Sequence, residues 1–346
     1  MFQRSKNNPI LIPNAAHAWE DFKVYNPGVI YENNLYHLFY RARGKNWIST
    51  IGYATSRDGQ AFVRFQKPIL APDQSIERNG LEDPRVVKIE NTYFMTYTAY
   101  DGYVARLCIA TSHDLLNWKK QGLVFQNWDW TKKLSRVGYL PELIKSKFQL
   151  KKDWCKAGAL FPEKIKNRYW MLFGDRNIWL AHSENGLKWQ PVQEPILEAR
   201  QGNYFDNYFA EMGPPPIKTK RGWLVFYHGV NRKKVYRLGF FILDYADPTK
   251  IIFRASQPVF EPQEPYELKG AVDILPGGSK AMEKMDEHKL QEFIAKNERR
   301  GKMPHVTFVC GAVLVEDKIR IFYGASDMVV CTAVANLKDI LHTADC

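Results

Sequence analysis

The sequence predicts an all-β fold, a five-bladed β-propeller, on three observations: a strand–turn–strand unit that recurs five times, alternation of apolar and polar positions within each copy, and one segment near residues 280–300 that alone breaks the β pattern. Each copy opens on an aromatic-rich strand. A turn follows, then a second strand with small residues, and often a polar turn that closes on an aromatic.

The first copy is Tyr36-His37-Leu38-Phe39-Tyr40-Arg41-Ala42, then Ile51-Gly52-Tyr53-Ala54-Thr55-Ser56, the turn Arg57-Asp58-Gly59 and Phe62. The second is Tyr93-Phe94-Met95-Thr96-Tyr97-Thr98-Ala99 with Leu107–Ser112, closing at Trp118. Tyr169–Gly174 with Ile178–Ser183, Asn185-Gly186 and Trp189 make the third, and Trp223–Gly229 with Tyr236–Leu243 and Asp247-Pro248 the fourth. Ile319–Ala325 with Val329–Val334 make the fifth. Enrichment in β-branched and aromatic residues over six or seven alternating positions reads as half-buried strands. Radial repetition of such units is how a propeller limits exposed sheet edges, whereas unrelated hairpins of a β-sandwich would not match so closely.

Residues 280–300 are rich in helix formers, with Met282, Met285, Phe293 and Ile294 roughly on one face. Pro276-Gly277-Gly278 before and Gly301 after bound an inserted helix. The expected organisation is a single catalytic propeller over 1–346 carrying an insertion at about 271–304, which would serve as a lid, a partner surface or a decorated loop.

The 346 residues are 45% hydrophobic and 25% charged, the balance of a folded soluble chain. Net charge is +12, but the basic residues are scattered apart from Lys132-Lys133, Lys151-Lys152, Arg232-Lys233-Lys234 and Arg299-Arg300, and read as a solvated surface. The aromatics lie in the strand repeat with no basic stripe beside them, which argues against nucleic acid. Five cysteines (Cys108, Cys155, Cys310, Cys331, Cys346) form no CxxC pair, so free thiols and no metal site are expected. No apolar leader follows Met1 and no stretch reaches membrane-spanning length; a cytoplasmic protein with no membrane partner is the expectation. The oligomeric state stays open, a homo-oligomer included.

Functional loops of a propeller gather around its axis, so polar motifs beside the inner strands carry the chemical candidates. Gly80-Leu81-Glu82-Asp83-Pro84-Arg85 sets two carboxylates and a guanidinium before a strand; alone it reads equally as a salt-bridged turn. Tyr25-Asn26-Pro27-Gly28 and Tyr40-Arg41-Ala42-Arg43 offer an amide and a guanidinium for sugar hydroxyls, or a turn and a strand-edge charge. Lys164, at the end of Ala157–Lys164, is read as a cation at the mouth of the third unit, and His228 ends the first strand of the fourth. Glu211 stands ahead of the rigid run Gly213-Pro214-Pro215-Pro216. Tryptophans and tyrosines supply stacking faces for pyranose rings where they are not core.

In this order, together with Thr96-Tyr97-Thr98-Ala99, Tyr227-His228-Gly229 and Tyr323-Gly324-Ala325-Ser326-Asp327, the motifs resemble glycoside hydrolase family 130, the mannoside phosphorylases and their hydrolase relatives, from Asn8-Pro9-Ile10 to about Ala335. The resemblance implies a five-bladed propeller that acts on β-mannosides with inversion. It casts Asp83 as the acid that protonates the glycosidic oxygen, directly or through a mannose hydroxyl, and Asn26, Arg41, Glu82, Arg85 and Asp327 as substrate-binding. Phosphate, the co-substrate of a phosphorylase, needs fixed cations and hydrogen-bond donors, for which Lys164, His228, Arg106 and Arg237 stand at comparable places. No other cofactor is implied.

Two departures qualify the resemblance. Glu211 stands where phosphorylases often carry a small residue and hydrolases a glutamate, and an inverting hydrolase needs a second carboxylate to activate water. The insertion at about 271–304 interrupts a stretch that the family usually crosses quickly. The expected activity is therefore inverting β-mannoside phosphorolysis releasing α-mannose 1-phosphate, with an inverting β-mannosidase using Glu211 as base, or a non-catalytic sugar-binding propeller, as alternatives.

Overall fold

The computed structural model describes residues 1–127, 129, 153–278, 281, 285–297 and 303–344. Lys132, Lys133, Lys151, Lys152, Met282, Arg299, Arg300 and Cys346, singled out above, lie outside the described residues. A short strand β1 (Gln3–Arg4) precedes four strands of the first blade, β2 (Lys23–Glu32), β3 (Leu35–Arg43), β4 (Ser49–Ser56) and β5 (Val63–Arg64). The second blade is β6 (Gly80–Ile89), β7 (Thr92–Tyr100), β8 (Ala105–Ser112) and β9 (Lys119–Leu123). Next come β10 (Ala159–Leu160), β11 (Tyr169–Phe173), β12 (Trp179–Ser183) and β13 (Gln190–Pro191). In the fourth blade the inner strand is split by prolines into β14 (Phe209–Met212) and β15 (Ile217–Thr219), followed by β16 (Gly222–Val230), β17 (Tyr236–Leu243) and β18 (Ile251–Arg254). The fifth is β19 (Thr307–Val315), β20 (Lys318–Ala325) and β21 (Val329–Asn336).

Every blade is an antiparallel meander from inner to outer strand. The N-terminal β1 pairs with β21 (Gln3↔Val334, Arg4↔Ala333), so the first residues of the chain complete the last blade and close the ring. The five-bladed propeller read from the repeat is the fold.

Why the strands are so apolar follows from this stacking. Along β16, Trp223, Val225 and Tyr227 pack against the third blade while Leu224 and Phe226 pack against the fifth, so both faces of an alternating strand are buried. Equivalent clusters join blades 1 and 2, 2 and 3, and 5 and 1. Inner strands approach backbone to backbone: a Cβ on Gly28 would lie 2.5 Å from Pro84 O, and one on Gly311 2.8 Å from Pro27 O. Glycine is required at both positions.

A second device repeats inside the blades. The fifth residue of the aromatic strand, Tyr40, Tyr97, Tyr227 or Tyr323, donates its hydroxyl to a carboxylate of zero exposure, respectively Glu20 (2.8 Å), Glu77 (2.9 Å), Asp206 (2.6 Å) and Glu267 (2.7 Å). Each carboxylate also meets a cation from the outermost strand: Arg64, Lys120, Arg254 and Arg4. Phe173 holds the same place in the third blade, where a hydroxyl is absent. A buried carboxylate is tolerated only when paired in this way.

The insertion leaves and rejoins the propeller at one neck, where Gly270 packs so tightly on Met303 and Pro304 that a Cβ would lie 2.4 Å from Pro304 N. Among the described residues a helix spans Glu287–Lys296, inside the expected 280–300, of which 280, 282–284 and 298–300 lie outside the described residues. Ile294 is buried against Phe22 and Ala271, with Leu290, Phe293 and Trp47 alongside, and Met285 joins Val272 and Leu275. The helix thereby docks on the first blade beside the β3–β4 turn. Cys108, Cys155, Cys310 and Cys331 are free and buried. Among the described residues no helix is long and apolar enough to cross a membrane.

Candidate active site

Inner strands start, and second strands end, on one face of the ring, and there the ladders are interrupted. Registers shift between Tyr25 and Gly28, between Glu82 and Arg85, and between Val309 and Gly311. In the first two cases a proline without an N–H to donate follows Asn26 or Asp83, and the bulge turns that residue out of the ladder. Asn26 (φ 47°) and Asp83 (φ 53°) both take the left-handed conformation, which short polar side chains tolerate best.

The two bulges meet. Asn26 Nδ2 donates to Asp83 Oδ1 at 2.8 Å, and Arg41 Nη1 lies 3.5 Å from the same oxygen. Arg41 Nη2 also pairs with Glu82, its Nε donates to Ser49 Oγ at 3.1 Å, and its guanidinium lies 4.7 Å from the centre of the Tyr25 ring. Asp327, in the β20–β21 turn with φ 57°, is near enough for its charge to act on both Tyr25 and Arg41. Asp83 itself is 4% exposed.

Arg85 ties this group to the opposite side of the ring. Its Nη1 donates to Asp83 O (3.1 Å), its Nε to Gly213 O (2.7 Å) and its Nη2 to Met212 O (2.8 Å). Those carbonyls directly follow Glu211, so one guanidinium fixes the backbone of both carboxylates.

Glu211 is 2% exposed and pairs across the ladder with His228. Burial, with the charges of Asp175 and Asp83, pushes its carboxyl up to about 7 against the opposing pull of Lys156 and Arg85. Lys156 Nζ stands 3.3 Å from Glu211 Oε1 and 3.9 Å from Asp175. Burial lowers the lysine, but Glu211, Asp175 and Asp83 outweigh it and hold the ammonium charged. His228 accepts the Val309 N–H on Nε2 at 2.8 Å and stacks on Phe308 at 4.2 Å, which leaves the proton on Nδ1. Burial first, then Arg85 and Lys156, holds its pKa well below the usual range, so the ring is a neutral donor. Arg176, over the Phe209 ring at 4.8 Å, and half-buried Tyr236 complete the group, and the charges of Glu211, Lys156 and Arg176 all act on Tyr236.

Buried polar atoms without a hydrogen-bonding protein partner converge here: Asn26 Oδ1, Thr98 Oγ1, Glu211 Oε1, His228 Nδ1, Arg176 Nε and Ser326 Oγ. Native proteins rarely leave such atoms unpaired, and a polyhydroxylated or oxyanionic ligand satisfies both donors and acceptors. The glycoside hydrolase family 130 model, described as beta-1,4-mannooligosaccharide phosphorylase, matches residues 6–290. The chain belongs to glycoside hydrolase family 130. It is 34% identical to the 1,2-beta-oligomannan phosphorylase of Thermoanaerobacter sp. (strain X514), over 98% of each chain. The same identity holds over 96% of each chain to that organism's beta-1,2-mannobiose phosphorylase. A solved structure reported as showing that the GH130 family of mannoside phosphorylases contains glycoside hydrolases targeting beta-1,2 mannosidic linkages in Candida mannan superposes with a TM-score of 0.76 at 27% identity, over 98% of this chain and 94% of that one.

Set in this family 130 scaffold, the residues expected from the sequence separate into two groups. Asn26, Arg41, Glu82, Asp83, Arg85, Glu211, His228 and Asp327 come together, although Arg85 is engaged with backbone carbonyls rather than turned to a substrate. Three expected phosphate ligands do not join them. Lys164 lies past the far end of β10, where its Nζ bonds Glu90 at 2.8 Å. Glu90 follows the last residue of β6, so at about 3.3 Å per residue Lys164 is roughly 20 Å along the blade from Asp83. Arg106 and Arg237 sit on third strands, about two strand spacings or 10 Å from the inner ones. There they bond Asp101 at 2.7 Å and Glu261 at 2.9 Å.

The cation at the mouth of the third blade is Lys156, three residues ahead of β10, and with Arg176, Asp175 and Tyr236 it went unread in the sequence. Tyr236 opens β17, and Lys156, Asp175 and Arg176 stand two or three residues off the ends of β10, β11 and β12, so a count of which blade end faces the axis is the signal that finds them.

Proposed function

We propose that this family 130 enzyme is an inverting β-mannoside phosphorylase with β-1,2-linked manno-oligosaccharides as substrates. Asp83, positioned by Asn26 and Arg41, delivers a proton to the glycosidic oxygen, directly or through a mannose hydroxyl, as the bond from that oxygen to the anomeric carbon breaks. A phosphate oxygen bonds the same carbon from the opposite face, giving α-mannose 1-phosphate and a shortened saccharide. The proton carried by the phosphate restores Asp83.

The observation that carries this reading is the donor set around Glu211: the Lys156 ammonium, the Arg176 guanidinium with its unpaired Nε, and the His228 Nδ1–H. Fixed donors of this kind match a phosphate dianion and are worth most where water is excluded. The β-1,2 linkage is favoured by the 34% identity to two phosphorylases named for it, against 24% to a beta-1,4-mannooligosaccharide phosphorylase of Ruminococcus albus. The decisive experiment incubates the protein with β-1,2- and β-1,4-mannobiose, with and without phosphate. Phosphate-dependent α-mannose 1-phosphate from the β-1,2 isomer is expected; cleavage at equal rates without phosphate sinks the reading.

One observation favours a second reading. Glu211, a buried carboxyl at about 7 whose Oε1 is ion-paired with Lys156 but accepts no hydrogen bond, has the character of a base that activates water. In that case Glu211→Gln abolishes mannose release, whereas a phosphorylase retains phosphorolysis.

A further inference from the structure

Between β7 and β8 the chain makes a turn, 101–104, that is braced far beyond what a surface loop requires. Asp101 Oδ1 accepts the N–H groups of Tyr103 and Val104, each at 2.8 Å. Asp101 Oδ2 accepts from Arg106 Nη1 at 2.7 Å, and the Asp101 carbonyl from Arg78 Nε. Gly102, at φ 94°, offers its carbonyl to the Tyr100 hydroxyl at 3.0 Å. On this rigid support Tyr103 keeps 63% of its surface exposed, with the Arg78 guanidinium 5.4 Å from its ring centre.

The turn shares a blade end with the acid. Gly80 pairs with Tyr100, so the blade end that carries Tyr103 belongs to the strand pair that carries Asp83. Three residues separate Gly80 from Asp83, or about 10 Å along a strand, in the outward direction. An ordinary exposed tyrosine sits on a mobile loop; here five hydrogen bonds immobilise the backbone beneath one. The aromatic face is thus presented with little ordering cost to a ligand.

We infer that Tyr103 is a stacking platform for a pyranose of the leaving saccharide beyond the one joined to the scissile oxygen, and that it sets a preference for longer oligosaccharides. This rests on the reading of the site as acting on manno-oligosaccharides. Arg106, assigned to phosphate from sequence, is on this account a positioning residue for the turn.

The test compares β-1,2-mannobiose, -triose and -tetraose as substrates at saturating phosphate, in the unmodified protein, Tyr103→Ala and Tyr103→Trp. Calorimetric titration of the same sugars runs alongside, because binding needs no turnover. Aromatic stacking of ordinary strength corresponds to about a three- to tenfold change. Tyr103→Ala is expected to raise KM and Kd for the longest sugar by that factor, leave the disaccharide unchanged, and be rescued by Tyr103→Trp. An equal loss at every length, or no loss at any, overturns the platform. Absence of phosphate-dependent turnover in the unmodified protein, with length-dependent binding intact, would instead fault the phosphorylase reading.

Discussion

Arg85 Nε donates to Gly213 O at 2.7 Å, and through this bond the bulged strand of the second blade that bears Asp83 is locked to the strand of the fourth that bears Glu211. No charge partner could do this as well, because three carbonyls converge on one planar fork. Arg85→Lys supplies one charge but not the fork. It is expected to lower kcat by about 100-fold, the scale of a 1 Å misplacement of reacting groups, with KM for phosphate changing less. Steady-state kinetics decide it: a change confined to KM would mean that Arg85 binds substrate.

In the proposed reaction Asp83 is the proton donor, and Asp83→Asn conserves its shape and its contact with Asn26 while removing the proton. Turnover should fall by about 10²–10⁴-fold, with binding of the mannoside nearly intact. A variant that turns over normally excludes Asp83 from the chemistry.

Lys156 and Lys164 are eight residues apart and give opposite expectations. Lys156→Met removes a charge-assisted bond of about 2 kcal/mol and should raise KM for phosphate about 30-fold. Lys164→Met, on the far side of the blade, should leave it unchanged. The reverse order in a phosphate titration would return the role to Lys164.

How legible this was depends on the scale of the signal. Alternation and the aromatic copies are carried by every blade, so the ring could be counted from the sequence. Asp83, Glu211 and His228 were found because each lies in a motif that names a strand end. Lys156 was missed in favour of Lys164 because both flank the short β10, and sequence alone does not reveal which flank faces the axis. The Tyr40–Glu20, Tyr97–Glu77, Tyr227–Asp206 and Tyr323–Glu267 pairs were invisible for another reason. In three blades the acid precedes its tyrosine by 20 or 21 residues and in the fourth pair by 56, across the insertion; such a spacing has no local pattern to mark it, and only the closed blade brings the partners together.

Asp206 shows what those pairs contribute. Burial opposes its ionisation, but hydrogen bonds from Arg200 and Tyr227 and the Arg254 charge prevail, leaving its pKa below the usual carboxylate range. A depressed folded-state pKa gives stability that is present above the unfolded value, near 3.9, and lost as pH falls through the folded one. Asp206→Ala strands two guanidiniums and should cost about 3–5 kcal/mol at neutral pH. The deficit should shrink in acid, below about pH 4. Denaturant melts at pH 7 and pH 3 read both, and a constant deficit would contradict the linkage.

Glu211 carries the opposite sign. Its folded-state pKa, about 7, lies above the ordinary value of 4.5, so the protonated form contributes stability that is complete below about 4.5 and is lost as pH rises through about 7. The unmodified protein should therefore lose Tm relative to Glu211→Gln between pH 5 and pH 8. The same titration acts on the reaction. Below about 7 a neutral carboxyl beside Lys156 can donate to phosphate; above it, a carboxylate takes the ammonium for itself and repels the dianion. Phosphate titrates in this range too, so the comparison must be with Glu211→Gln at each pH. In that variant kcat/KM for phosphate should fall less steeply from pH 6 to pH 8, while any release of free mannose without phosphate, which needs the ionised base, should disappear. Parallel pH profiles for the two proteins would remove Glu211 from the nucleophile pocket.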